Sequence, residues 1–141
     1  MHCPITGINI PRYLAAALAG FVFIFAFDFL VHGNLLMDLY EQTSELWRAP
    51  EDMVMPWMMG TQILIALITA FIYACGCCDK EGKGIKCGIG FGIKIGLLMA
   101  VLMAASYAWM PIPLALALGW AGAGLGTGLG LGIIFSLVYK K

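Results

Sequence analysis

Three groups of side chains in this sequence have types and spacing that suit chemistry. Asp28 and His32 stand four residues apart, so in a helix they share one face. A carboxylate beside an imidazole suits proton transfer or cation binding, and an acid inside an apolar run is a functional candidate in its own right. Gln62 and Ser106 fall at a similar depth in their own apolar runs, so with Asp28 and His32 they would line a small polar pocket open to the exterior. A plainer reading competes with this. Asp28 lies three residues from the end of its run, roughly 5 Å into the hydrocarbon by helical rise, where solvation is partly recoverable. Asp28, His32 and Gln62 would then bond one another and fix helix register. The structural reading is preferred over the ligand or proton site.

Four thiols form the second group. Cys75, Cys77, Cys78 and Cys87 flank one polar turn, and thiolates bind soft metals such as Zn²⁺ or Cu⁺. Met53, Met55, Met58 and Met59 add thioethers near the opposite end of the same run. Together they hint at soft-metal transfer. The C-x-C-C spacing is not the paired C-x-x-C of most such sites, so reduced thiols, acylated at the membrane edge, are preferred. Cys3 lies in no lipidation box. Lys94 is the third feature, a cation roughly 8 Å inside its apolar run and within snorkelling reach of the interface. No nucleophile–base–acid set, phosphate loop or zinc-hydrolase pattern occurs, so no enzyme activity and no cofactor is expected.

The elements that must position these residues follow from apolar run lengths. Residues 13–31, 57–76, 89–109 and 114–139 are each long enough for a membrane helix of about 20 residues. The first is too long for a signal-peptide core and lacks a cleavage site. Residues 35–47 carry Leu35, Leu36, Leu39, Thr43, Leu46 and Trp47 at helical spacing, with Asp38, Glu41 and Glu45 on a separate stripe. This predicts an amphipathic helix on the membrane surface. Met110-Pro111-Ile112-Pro113 is a reversal that proline keeps out of helix. The expected fold is all-α: one transmembrane domain over residues 1–141, with four crossings and one extracytoplasmic helix.

Composition agrees. The chain is 62% hydrophobic and 11% charged, against roughly 45–50% and about 25% in soluble domains. Its net charge of zero argues against an electrostatic design for nucleic acid, which would show as a basic stripe. Five cysteines suggest disulfides only in an oxidising compartment. Arg12, Lys80, Lys83, Lys86, Lys140 and Lys141 fall on one side of the layout with Lys94 close by, and Arg48 alone falls on the other. The positive-inside rule therefore predicts both termini and the Lys80 turn in the cytoplasm, and residues 35–55 outside.

Glycines recur every fourth residue at Gly88, Gly92 and Gly96, at Gly122, Gly126 and Gly130, and at Gly124, Gly128 and Gly132. Small residues at this spacing let membrane helices approach closely. The last two crossings are therefore expected to form a tight hairpin. A second glycine row leaves a face for another copy or another subunit.

Asp28, His32-Gly33, Leu36, Tyr40, Leu46-Trp47-Arg48, Glu81-Gly82-Lys83-Gly84, Pro111-Ile112-Pro113 and Trp120 resemble a loose group of bacterial four-helix inner-membrane proteins with no established activity. The resemblance covers most of the chain, without the cysteine cluster. It implies bacterial origin, inner-membrane topology and importance for His32, Tyr40 and Trp47. The leading functional expectation is a non-enzymatic scaffold or accessory subunit, a homo-oligomer or partner of another membrane protein in the bilayer. The alternative is an oligomeric permease or channel for a soft metal ion or small solute. A haem-binding oxidoreductase partner using His32 ranks third, because His2 falls on the wrong side to be its second ligand.

Overall fold

A computed structural model describes residues 7–76 and 84–139. His2, Cys3, Cys77, Cys78, Lys80, Glu81, Gly82, Lys83, Lys140 and Lys141 lie outside the described residues. Helix α1 runs Ile10–Leu30, and the Asn9 side-chain oxygen caps it by accepting from the Arg12 backbone N–H at 3.3 Å. Pro11 sits in the first turn, where it has no helical hydrogen bond to lose. The chain continues directly into a π-helical turn, Val31–Leu35. Short α2 (Met37–Glu41) follows, then 3-10 turns at Ser44–Leu46 and Pro50–Asp52. Helix α3 is Met55–Gly76 and α4 is Gly84–Ala105, closed by a 3-10 turn at Ser106–Ala108. Pro113 caps α5, Leu114–Val138. No strand occurs among the described residues.

Four of these helices are long and apolar enough to cross a membrane. Each contains or nearly coincides with one predicted run, although α4 begins at Gly84 rather than Ile89. The expected amphipathic helix over 35–47 is a correction. Its residues divide among the end of the π turn, α2 and a 3-10 turn. The broken path brings both rings onto Trp120, with the Tyr40 and Trp47 centroids 6.4 and 5.9 Å from it.

Helix α5 is central, touched by α1, α3 and α4. Its Leu116, Leu131 and Phe135 are fully buried. Against α4 the contact is backbone on backbone. A Cβ added at Gly92 would lie 2.7 Å from the Gly128 carbonyl oxygen, and one at Gly96 2.7 Å from that of Leu125. At Gly88, Gly128 and Gly132 an added Cβ would overlap the opposite main chain outright. The α5 row in this seam is thus Gly124, Gly128 and Gly132. Gly126 and Gly130 face α1 instead, where the stacked rings of Phe27 and Phe23 occupy the space. A Cβ added at Gly122 would meet nothing within 4 Å among the described residues, so this glycine makes no close contact inside the fold.

At one end of the bundle Tyr73 of α3 meets Phe91 of α4 edge to face, with centroids 5.2 Å apart, and Phe135 and Tyr139 complete the cluster. The Asn9 backbone N–H donates to the Tyr139 hydroxyl at 3.2 Å. The start of α1 and the finish of α5 therefore share this end. Leu14, Leu18, Val22, Leu64, Leu97 and Val101 point outward and are exposed. An apolar exterior around a glycine-seamed interior is the arrangement that hydrocarbon solvent favours.

Candidate functional site

The polar residues gather at the opposite end. Asp28 sits near the finish of α1, and Gln62 lies two turns into α3, facing it across the α1–α3 contact. The Gln62 side-chain N–H donates to Asp28 Oδ2 at 2.8 Å. Gln62 is only 6% exposed, and its Oε1 is buried with no hydrogen-bond partner among the described residues. Orphaned buried acceptors of this kind are rare in folded proteins.

His32 does not complete the expected set. It falls inside the π turn, whose wider winding re-aims side chains relative to a continuous α-helix. Its Nδ1 lies 2.7 Å from the Tyr40 hydroxyl, and among the described residues it forms no hydrogen bond to Asp28. Ser106 is also separate. Its hydroxyl donates to the Met103 carbonyl at 2.6 Å, bonding within its own turn at the end of α4. Of the four predicted residues, the fold thus joins Asp28 to Gln62 and directs His32 and Ser106 elsewhere.

Tyr40 is the hub of a second network. The Trp120 indole N–H donates to its hydroxyl at 2.6 Å. Indole nitrogen is only a donor, so the Tyr40 oxygen accepts there. The assignment that uses every proton then has Tyr40 donate to His32 Nδ1, leaving the imidazole proton on Nε2. Trp47 packs edge-on to both Tyr40 and Trp120, with centroids 5.4 and 5.9 Å away. Its own N–H donates to Thr43 Oγ1 at 2.9 Å, and that hydroxyl donates in turn to the Leu39 carbonyl at 2.8 Å. Burial raises the Tyr40 phenol above its ordinary range. The Trp120 hydrogen bond opposes that shift and the Asp28 charge adds to it. The link from Trp120 to Tyr40 crosses most of the chain. The one signal for it in the sequence is that half-buried Trp and Tyr need partners for their polar atoms.

The remaining candidates stand apart. Cys75 is exposed at the end of α3 and Cys87 is half-buried in α4, while Cys77 and Cys78 lie outside the described residues. Among the described residues no three His, Cys, Asp or Glu side chains cluster as metal ligands would. Met53, Met55 and Met58, but not Met59, line a shallow open depression with Val54, Trp57 and Arg48. A guanidinium in that depression opposes a bound cation. Lys94 is exposed and lies on the side of α4 opposite the glycine seam.

No protein-family model, curated protein or solved structure matches the chain.

Proposed function

We propose that this protein is a small scaffold or accessory subunit of a bacterial inner membrane. It works through helix contacts with another membrane protein or a second copy, and both termini lie in the cytoplasm. The basic residues on one side of the layout support that orientation.

The observation that carries the reading is Lys94. Its candidate span, Gly84–Ala108, is 25 residues, roughly 37 Å of helix against a hydrocarbon core of about 30 Å. Lys94 lies roughly 15 Å along it by helical rise, deeper than a run beginning at Ile89 implies. In a centred helix its backbone is about 11 Å inside the hydrocarbon, and a four-carbon stem falls short of that distance. A lysine near the centre of a spanning helix costs about 2.5–3.5 kcal/mol on insertion scales. Only α5 packs extensively on α4, so the ammonium points away from this fold. An acceptor on a partner helix would offset the cost. Ile93, Leu97, Leu98 and Val101 supply the apolar surroundings of such a contact. The soft-metal permease is less well supported, because Arg48 stands among the methionines that would attract the metal.

Native mass spectrometry in mild detergent tests the reading. The wild type is expected in a complex heavier than one chain. Lys94→Met should dissociate that complex while its unfolding temperature is unchanged or higher. A monomer in both, with photo-crosslinkers at Leu97 capturing lipid alone, would overturn it.

A further inference from the structure

We propose that Asp28 and Gln62 form a binding site for a small monovalent cation, sodium-like or ammonium-like, reached from the Tyr40 end of the bundle. The first support is the company that Asp28 keeps. Neither α3 nor α5 carries a charged residue, and among the described residues Asp28 has no ion pair. The nearest titratable group along the chain is His32, in the π turn that continues α1, and its Nδ1 is taken by Tyr40. Tyr40 itself is the titratable group facing the site from α2, and it too is engaged, with Trp120 and His32. The carboxylate therefore has one amide N–H and no counter-ion, in a setting that penalises bare charge.

The second support is independent of the first. Gln62 is 94% buried by its 6% exposure, yet among the described residues Oε1 has no donor. A proton on Asp28 would also supply Oε1 with a donor, in a reciprocal acid–amide pair, so the salt comparison below separates a proton from a cation. A cation in contact with both satisfies the two oxygens at once. Both are hard donors, which suits alkali or ammonium ions and not soft metals. A single carboxylate matches a single positive charge. Asp28 is only half-buried, so it offers the approach, with Gln62 behind it as the inner wall.

Thermal unfolding of the purified protein is measured in NaCl, NH₄Cl and N-methylglucamine chloride at equal ionic strength and pH. For the wild type, Na⁺ or NH₄⁺ is expected to raise the midpoint in a concentration-dependent way, as a ligand of the folded state must. Asp28→Asn and Gln62→Leu should lose that response. Sodium-23 line broadening by the wild type, reversed by NH₄⁺, gives a readout that needs no variant to fold. Equal midpoints in all three salts with no line broadening would overturn the proposal. So would a response that survives in Asp28→Asn, or a dependence on pH alone, which would mean a proton is the only ligand.

Discussion

Tyr40 shows how much of the polar order rests on one atom. Its oxygen accepts from Trp120, and in the assignment that uses every proton its own proton goes to His32. Tyr40→Phe removes both partners at once and strands an indole N–H and an imidazole nitrogen. Such losses cost about 1–3 kcal/mol, so the unfolding midpoint should fall. The variant should also change the alkaline limb of stability. Burial raises the Tyr40 phenol in the folded state, so above the ordinary tyrosine range of about 10 the unfolded chain binds fewer protons than the folded one. Stability from this group is complete below that range and declines as pH rises through it. Tyr40→Phe should flatten that decline. A phenolate signal in the wild-type minus variant difference, appearing at the ordinary tyrosine pH, would contradict the burial account.

Among the elements, α5 offers the sharpest comparison, because its glycines have different neighbours. Gly122→Ala meets nothing within 4 Å and should stabilise, by up to about 1 kcal/mol of helix propensity. Gly128→Ala should destabilise most, since its new methyl overlaps the α4 main chain, which has no side chain to move aside. Gly126→Ala should fall between, because the Phe27 ring it meets at 2.6 Å can turn. Thermal midpoints of the three variants check the order, and equal values would refute the seam. Here the sequence is only partly legible. Glycine every fourth residue announces close packing, but α5 is apolar all round and carries two such rows. Nothing local says which row faces α4. Residues 35–47 mislead for a related reason. Their leucines fit a helical stripe, and the need to return Tyr40 and Trp47 to Trp120 is a demand of tertiary structure alone.

For the whole molecule, the number and length of the long helices follow from composition and run length, since α-helices satisfy every backbone group without help from solvent. Depth counting also brings Gln62 opposite Asp28, and the two are bonded. Depth alone does not bring Ser106 to that pair, because α4 packs chiefly on α5. The proposed orientation makes a direct prediction. Cys75 and Cys87 should both resist a membrane-impermeant thiol reagent in intact cells. After lysis the exposed Cys75 should react readily. Labelling of either before lysis would reverse the assigned sides.

A seam made of repeating glycines has one more property: it sets the spacing of two helices without setting their alignment. Gly88, Gly92 and Gly96 are like notches, and so are Gly124, Gly128 and Gly132. Sliding α4 along α5 by one notch would present much the same surface again. Allosteric proteins use ratchets of one helical turn, about 5.4 Å, as discrete switches. In this protein the pawl is Phe91, lodged against Tyr73 and Phe135, with centroids 5.2 and 6.3 Å away. The aromatic cluster at the Tyr139 end therefore chooses a single alignment out of several that the glycines alone would accept.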